Sequence, residues 1–480
     1  MAKNPQCLHL TADSRTIIGG SLFVCMPSDT GDSHRFLKDA ADNGAVAAIV
    51  HSDEGYDLAL SLSLAAAQLD PARFQDSIWH LALTAFGDPG LRMKLIGITG
   101  TNGKTTTAWI VRDLLNALGV PCGYLGTLGF QTPTFARELA NTTPFPIELF
   151  SMLHEAADSG CEAMAIEISS HALAQKRAHG LTFEAVAFTN LSQDHLDFHG
   201  SMAEYENAKR LLFTEFESKS KVINLGDEAG RKLVNLATHT FVVTSEGPND
   251  QTSQPANHVD AQPVNVELTK LRVAVEGTEF EANLGGDYNV ENTVTAYTIV
   301  RAASNLARGG QGFSPAQVCE AMKSVRPVPG RFEPVPNAQG IGIIVDYAHT
   351  PDALITLLET ARPLVSGRII TVFGCGGDRD KTKRPLMAQA ASEGSNFVIA
   401  TSDNPRTEDP LAILKDVERG LSGAYEIIPD RPAAIARAIA LAQPGDAVMI
   451  AGKGHENYQI IGREKFPMDD RVLAKNAAIT

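Results

Sequence analysis

Short apolar runs recur along the chain with helix-length segments between them. Residues 95–99, 163–168, 185–188 and 222–225 are such runs in its middle, and 343–346, 369–373, 397–401 and 447–451 in its last third. Period alone cannot tell a short apolar run from buried helix, so flanking glycines and β-branched content decide for strands. Strands alternating with helices predict parallel βαβ units, and in the last third a doubly wound sheet. Earlier, residues 21–25 and 45–50 are apolar runs between polar turns and predict a small α/β unit. Residues 264–275 break the rhythm: they alternate with period two, which predicts antiparallel strands with one wet face. The polar, proline-containing stretch 245–263 before them predicts a surface loop. Met202, Tyr205, Leu212 and Phe213 recur at helical spacing and predict a helix with an apolar face.

These patterns organise the 480 residues as an α/β chain of three domains. They are a small α/β domain over 1–90, a P-loop ATPase-like parallel sheet over 91–326 and a Rossmann-like domain over 327–480. Apolar residues make up 44% and charged residues 20%, the balance of a soluble globular protein. The formal charge of -15 comes without any offsetting basic block. That argues against a nucleic-acid or membrane-surface partner and leaves any anionic substrate in need of a locally basic pocket. Cys7, Cys25, Cys122, Cys161, Cys319 and Cys375 form no Cys-x-x-Cys pair and read as reduced, small core residues. No basic segment leads into an apolar one at the N-terminus, and no apolar run reaches membrane-spanning length. The expectation is a cytoplasmic protein, by default a monomer.

Chemistry enters at Gly97-Ile-Thr-Gly-Thr-Asn-Gly-Lys-Thr105, behind an apolar run and ahead of a helical stretch. Glycines let backbone N–H groups close on phosphate oxygens, and the helix points its positive end at the same place. Lys104 then holds terminal phosphates and Thr105 ligates Mg²⁺. Ile98 stands where the usual P-loop pattern has its first glycine. Glu167 ends an apolar strand, so a cation or a hydrogen-bond network has to meet it. His195 follows Asp194 just after another strand; a lone histidine is an unusual Mg²⁺ ligand, and a capping role is the alternative. Lys209, four residues after Tyr205, reads on pattern alone as a snorkelling surface lysine. Arg177 is either a carboxylate fork or an ordinary surface arginine. In the last domain, polar clusters follow four strands: Asp346-Tyr-Ala-His349, Gly376-Gly-Asp-Arg379, Ser402-Asp-Asn-Pro-Arg406 and Gly452-Lys-Gly-His-Glu456. Ligands on such sheets bind beyond the carboxyl ends of strands. Gly374-Cys-Gly-Gly-Asp-Arg379 departs from Gly-x-Gly-x-x-Gly at its third glycine, which argues against a nicotinamide cofactor.

Taken in order, several of these segments resemble the Mur ligases, ATP-dependent amide-forming enzymes of peptidoglycan precursor synthesis. They are Gly100-Thr-Asn-Gly-Lys-Thr105, Glu167-Ile-Ser-Ser170, Asn190-Leu-Ser-Gln-Asp-His-Leu-Asp197, Tyr205-x-x-x-Lys209, Asn289-Val-Glu-Asn292 and Pro329-Gly-Arg-Phe-Glu333. The resemblance extends over essentially the whole chain, including Asp13-Ser-Arg15 and Leu22-Phe-Val24.

It implies that Gly100, Thr101, Asn102, Gly103, Lys104, Thr105 and Thr106 bind the phosphates of ATP, with Asn289 and Asn292 near the adenine. It also implies that Arg331, Asp346 and His349 approach the nucleotide from the last domain. Thr105, Glu167 and His195 hold two Mg²⁺ ions, joined by Lys209 once CO₂ has converted it to a carbamate (N6-carboxylysine); Lys104, Glu167, His195 and Lys209 are the catalytic set. Only the family reverses the surface reading of Lys209. Within the family the third-step ligases match best. On that match Asn141, Thr142, Thr143, Ser169, Gln175 and Arg177 bind UDP-MurNAc-L-Ala-D-Glu, with Ser14 on the uridine nucleotide.

Asp403, Asn404, Pro405 and Arg406, with Arg379, Gly452 and Glu456, are similar to the amino-acid pocket of ligases that add meso-diaminopimelate. Lysine-adding relatives usually lack arginine at position 406. A guanidinium suits the second carboxylate of diaminopimelate and is left without an anion by lysine. The rival readings are L-lysine as the added amino acid, a folylpolyglutamate synthetase, and a nucleotide-switch protein, for which the base-reading Asn-Lys-x-Asp is absent. Asp29 to Gly31, where relatives contact uracil, carry no readable pattern.

Overall fold

The computed structural model describes residues 9–27, 32–243, 257–303, 306 and 312–479. Asp29 to Gly31, Cys7 and most of the expected 245–263 loop lie outside them. The chain divides into two compact units: the described residues of Met1–Thr240, Pro255–Asn257 and Ile299–Gly312 make one, and those of Phe241–Gln254, His258–Thr298 and Phe313–Thr480 the other.

The first unit opens with four parallel strands in sequence order, β1 (His9–Thr11), β2 (Ser21–Val24), β3 (Ala45–Val50) and β4 (Ala65–Gln68). Helices α1 (Leu37–Asp42), α2 (Asp53–Ser61) and α3 (Phe74–Phe86) accompany them. Side chains alternate across a strand. Phe23 therefore packs with Leu37 and Ala48 on one face while Val24 joins Phe74, Ile78 and Leu95 on the other. There follow β5 (Lys94–Thr99), α4 (Lys104–Ala117), β6 (Cys122–Gly126), β7 (Gly129–Gln131), β8 (Ala136–Arg137), α5 (Pro146–Asp158), β9 (Ala163–Glu167) and α6 (Ser170–Ala174). Next come β10 (Phe183–Phe188), α7 (Leu196–His199), α8 (Met202–Thr214), β11 (Ser218–Asn224) and α9 (Glu228–Lys232). These strands lie in the order β11-β10-β5-β9-β6-β7-β8, parallel as far as β6 and antiparallel beyond it. β9 and β10 are buried along their full length, as strands covered on both faces must be. The division between the units falls at β12 (His239–Val243) and within α10 (Tyr288–Ala302).

The second unit begins with an antiparallel meander, β13 (His258–Val266), β14 (Leu271–Val275) and β15 (Thr278–Ala282). Period two is thus found where it was read, but 258–263 is strand and not loop. Val259 and Ala261 are buried on one face of β13, and Pro263, the last residue of the expected loop, sits beside a register shift in the ladder. After α11 (Pro315–Met322) come β16 (Glu333–Pro334), β17 (Gly342–Asp346), α12 (Pro351–Ala361), β18 (Ile369–Cys375), α13 (Lys383–Gly394) and β19 (Phe397–Ser402). The chain continues with α14 (Pro410–Glu418), β20 (Tyr425–Ile427), α15 (Arg431–Leu441), β21 (Ala447–Ala451), β22 (Tyr458–Ile461), β23 (Glu464–Pro467) and α16 (Asp470–Ala477).

The sheet order is β16-β17-β21-β18-β19-β20, with β16 alone antiparallel. Ile344, Phe373 and Met449 pack with α12 and α13 on one face, and Ile343, Val345, Val372 and Ile450 with α15 on the other. A parallel sheet puts all its carboxyl ends on one edge, so Asp346, Gly376, Asp403 and Gly452 emerge together there. Among the described residues no helix is long and apolar enough to cross a membrane. The five described cysteines are free thiols, and Cys375 alone of them is not fully buried.

Candidate active site

In the first unit β5 ends at Thr99 and α4 begins at Lys104, so residues 100–103 turn across a helix N-terminus. Gly100 (φ 151°) and Gly103 (φ 84°) supply backbone angles that other residues resist. A Cβ on Gly100 would lie 1.8 Å from Thr189 Oγ1, so the loop can seat against the end of β10 only with glycine there. Thr101 N donates to Asn190 O (2.8 Å) and Asn102 N to Asn190 Oδ1 (2.9 Å), fixing the loop further. Lys104 Nζ donates to the carbonyls of Gly100 (2.9 Å) and Thr101 (2.8 Å). Lys209 Nζ donates to the same Gly100 carbonyl at 2.7 Å and lies 4.3 Å above the Tyr205 ring. Lys209 is only 2% exposed. Burial first, and then the neighbouring Lys104 charge, hold its ammonium pKa well below the usual lysine range. Its place beside the apolar stripe of α8 let the pattern pass for a surface lysine; the phosphate loop docking over it makes it a buried one.

Glu167, at the end of β9, has no exposed surface. Its carboxylate accepts from Thr105 Oγ1 (2.9 Å), Thr127 N (2.9 Å), Thr127 Oγ1 (3.2 Å) and the Tyr124 hydroxyl. The network expected around a buried carboxylate is therefore built from residues far away in sequence. It continues outward. Thr142 Oγ1 is 3.1 Å from Thr127 Oγ1, and Thr143 Oγ1 donates to the Glu167 carbonyl (2.7 Å) while accepting from Ser169 N (3.1 Å). Arg177 Nη1 donates to Thr143 O (2.8 Å), and its Nε and Nη2 to Gln175 Oε1 (2.9 and 2.6 Å). Its guanidinium also covers the Phe145 ring at 4.0 Å, so it is no ordinary surface arginine. Ser169 caps α6 through Ala172 N (3.1 Å). Asn141 is exposed, and Ser14 opens the short 3-10 turn between β1 and β2, its carbonyl held by Asn43.

His195 is exposed, in left-handed conformation (φ 52°) at the start of α7, with Nε2 3.4 Å from Asp194 Oδ2. Its ring lies 4.8 Å from that of His171 and 6.1 Å from Tyr205. Burial, with His195 and His199 nearby, pulls His171 down to about 4.

In the second unit Asn289 and Asn292 are buried on α10, Asn289 Nδ2 donating to Gly285 O (2.7 Å) and Asn292 Nδ2 to Asn289 Oδ1 (3.0 Å). Asp346 accepts from Phe332 N (2.7 Å) and Ala348 N (2.8 Å). Burial raises its carboxyl pKa, opposed by the Arg331 charge. The Arg331 guanidinium lies 5.1 Å from the Tyr347 ring, with its buried Nε lacking a partner among the described residues. His349 is exposed and bonds Tyr347 O (2.9 Å).

Beside them, Asn404 Nδ2 donates to Glu456 Oε2 (2.9 Å), and Lys453 Nζ donates to both Asn404 Oδ1 and Glu456 Oε2 (3.1 Å each). Gly452 (φ 113°) passes so close to Asp403 that a Cβ would sit 3.0 Å from Asp403 Oδ2. Arg406, also left-handed (φ 50°), donates from Nη1 to Gly377 O (2.8 Å). It is half-buried, not enclosed as its pairing argument assumed, while Arg379 is exposed.

The first unit thus holds a phosphate cradle and a buried carboxylate with a threonine hydroxyl, and the second holds a carboxyl-edge pocket of mixed charge. The Mur ligase middle domain family matches residues 98–300, and the Mur ligase, glutamate ligase domain family matches residues 330–454. Over 484 residues the chain is 40% identical to the UDP-N-acetylmuramoyl-L-alanyl-D-glutamate–2,6-diaminopimelate ligase of Geobacillus thermodenitrificans, covering 99% of this chain and 95% of that one. The chain belongs to the Mur ligase family. It is therefore an ATP-dependent, amide-forming ligase. The enzyme of the same name from Geobacillus kaustophilus is 41% identical over 500 residues, covering 99% of this chain and 95% of that one. A solved structure of a diaminopimelate ligase so named superposes with a TM-score of 0.64 at 32% identity, covering 98% and 95% of the two chains.

For a Mur ligase the donor set of the first unit fits Mg²⁺, a hard cation that takes carboxylate and hydroxyl oxygens: Glu167 and Thr105 already touch. Lys209 fits carbamylation, because a buried amine that loses its proton readily is a nucleophile toward CO₂. Sequence reading missed Tyr124 and Thr127, which hold Glu167, and Lys453, which holds Asn404 and Glu456. Tyr124 and Thr127 carried no local signal; Lys453 lay inside a cluster already singled out.

Proposed function

We propose that this ligase joins meso-2,6-diaminopimelate to the D-glutamyl γ-carboxylate of UDP-N-acetylmuramoyl-L-alanyl-D-glutamate, with ATP as co-substrate. The observation that carries the choice of amino acid is the pocket at the ends of β19 and β21. Arg406 offers a guanidinium fork to the distal carboxylate, and Glu456 an acceptor to the distal ammonium. Asp403, Asn404, Pro405, Arg379 and Gly452 complete it. Residues 1–90, through Ser14, hold the uridine nucleotide; 91–326 handle ATP and the peptide carboxylate; 327–480 receive the incoming amino acid.

The γ-carboxylate oxygen attacks the γ-phosphorus of ATP, and ADP leaves, giving an acyl phosphate. The amine of diaminopimelate then attacks the acyl carbon, loses a proton, and phosphate departs from the tetrahedral intermediate. Gly100 to Thr106 cradle the phosphates, and Lys104 turns from the Gly100 and Thr101 carbonyls to the terminal phosphate oxygens. Asn289, Asn292, Arg331, Asp346 and His349 bind the remainder of the nucleotide. Asn141, Thr142, Thr143, Ser169, Gln175 and Arg177 orient the dipeptide so that its γ-carboxylate faces the phosphorus. Thr105, Glu167, His195 and carbamylated Lys209 would hold two Mg²⁺ ions, which when bound neutralise charge on the transferring phosphoryl oxygens. Water has to be kept from the acyl phosphate, which it would hydrolyse. The protein works as a cytoplasmic monomer on small molecules.

The test is phosphate release and product mass with purified protein, ATP, Mg²⁺ and the nucleotide dipeptide, offering meso-diaminopimelate or L-lysine. Turnover with diaminopimelate alone is expected. Preference for lysine refutes the reading of Arg406, and no turnover with either refutes the nucleotide substrate.

A further inference from the structure

The Lys453 ammonium has no exposed side-chain surface, and neither the pocket motif nor its chemistry with substrate accounts for it. It reaches two acceptors, Asn404 Oδ1 and Glu456 Oε2, at 3.1 Å each. Asn404 is thereby fixed in one orientation: Oδ1 faces Lys453 and Ile460 N (2.8 Å), and Nδ2 faces Glu456 (2.9 Å). Glu456 Oε2 is held twice, by Asn404 and by Lys453, and Oε1 is the oxygen left to accept from an incoming cation.

The floor of the same pocket is held by a second buried cation. Arg431 and Asp470 have no exposed side-chain surface and are paired through Nε to Oδ1 (2.8 Å) and Nη2 to Oδ2 (2.6 Å). Arg431 also donates from Nη2 to Ala451 O (2.9 Å), with Nη1 3.5 Å from Ser402 O. Those two carbonyls immediately precede Gly452 and Asp403. One guanidinium thus ties together the strand ends from which the pocket rises.

We propose that Lys453 is a positioning residue for diaminopimelate: it locks Asn404 and Glu456 so that one carboxylate oxygen meets the distal ammonium of the amino acid. The proposal rests on the assignment of this pocket to diaminopimelate. A buried cation with two fixed acceptors orders both of them, and the loss of a charge-assisted hydrogen bond is felt by whatever they bind. Lys453 does not itself touch the reacting atoms.

Lys453→Met keeps the length of the stem and removes the charge. The expected result is a KM for diaminopimelate raised about 30-fold, with KM for ATP and for the nucleotide dipeptide within about twofold of wild type and kcat at saturating diaminopimelate down less than about threefold. Glu456→Gln alone should raise the same KM, and adding it to Lys453→Met should cost clearly less than the product of the two, because both act through one oxygen. An unchanged diaminopimelate KM, an equal loss toward all three substrates, or multiplicative singles would overturn the proposal. Should Lys453→Met fail to fold, Lys453→Gln decides by the same KM split: a rise of about tenfold or more confined to diaminopimelate supports it, and any other pattern overturns it. A wild-type enzyme that turns over lysine in place of diaminopimelate sinks the substrate assignment along with this role. A wild-type enzyme that uses diaminopimelate beside a variant of unaltered KM sinks the role alone.

Discussion

Tyr124→Phe removes a single oxygen atom from the molecule, and the structure says what that oxygen holds. It donates to Glu167 Oε1 and accepts from Leu128 N at 3.1 Å. Glu167 keeps Thr105 and both groups of Thr127, so the carboxylate stays partly solvated by the protein. A hydrogen bond to a charged group contributes about 1.5–3 kcal/mol, and a stranded N–H costs about 1 kcal/mol more. The first unit should therefore lose about 3 kcal/mol of stability. Both tryptophans of the chain, Trp79 and Trp109, lie in this unit, and the Trp109 ring stands edge-on to Tyr124 at 5.7 Å. Intrinsic fluorescence in urea thus reports on the unit that is perturbed. With a slope of about 2–3 kcal/mol per M, the midpoint should fall by about 1 M. Turnover should fall by about tenfold, because a loosened Glu167 no longer presents its oxygens in one place. A midpoint within about 0.2 M of wild type would mean that the threonines alone hold Glu167, and the reasoning from its hydrogen bonds would be wrong.

Gly126→Ala attacks the same carboxylate by steric means: its Cβ would lie 2.2 Å from Glu167 Oε1 and 2.6 Å from the Tyr124 hydroxyl. Neither group is free to retreat, so a loss of more than about 2 kcal/mol in the same urea experiment is expected, with turnover nearly abolished. Arg406→Ala should raise KM for diaminopimelate about 100-fold and leave the KM for ATP unchanged in steady-state assays, since it removes the fork proposed for the distal carboxylate and, besides that, one bond to the Gly377 carbonyl. Glu408 offers a pH test in the second unit. Hydrogen bonds from Arg384 first, then from Asp378 N, hold its carboxyl at about 2 against an ordinary 4.5. A depressed carboxylate stabilises the fold fully above its ordinary value, and that contribution drains away as pH falls from about 4.5 toward 2. Glu408→Gln should weaken the protein at neutral pH and flatten its acid unfolding across that window. Hydrogen exchange in α13 and α14, from which Arg384 and Asp416 meet, would register it.

Much of this fold is legible in the sequence, for a physical reason. A parallel strand buried on both faces is an uninterrupted apolar run, so β5, β9, β17, β18, β19 and β21 announce themselves. Function sits at their carboxyl ends, where the apolar run breaks into glycine and charge. The phosphate loop and Glu167 fall at such breaks. What stayed hidden depends on contacts between distant parts of the chain. Lys209 owes its burial to the Gly100 carbonyl, 109 positions away. Tyr124 meets Glu167 across 43 positions, from a strand in which Gly123 and Gly126 dilute the apolar signal. β13 was disguised by its neighbourhood: it starts inside the polar, proline-containing stretch 245–263 that reads as loop, and pairing with β14 makes its residues strand. The orientation of Asn404 is likewise invisible in its motif, because Lys453, 49 positions on, imposes it.

Arg406 has a further consequence, for the lineage more than for the single molecule. Its left-handed backbone (φ 50°) strains a side chain of this kind by about 1 kcal/mol, which glycine or asparagine would relieve. Random mutation and thermal selection alike therefore push position 406 away from arginine. If Arg406 reads the distal carboxylate as proposed, stability and fidelity pull in opposite directions at this one residue, so a variant bred only for heat resistance should drift here first. It would remain a sturdy ligase while ceasing to discriminate between one amino acid and another, and only a cell whose wall suffers from the wrong cross-linking residue would select the arginine back.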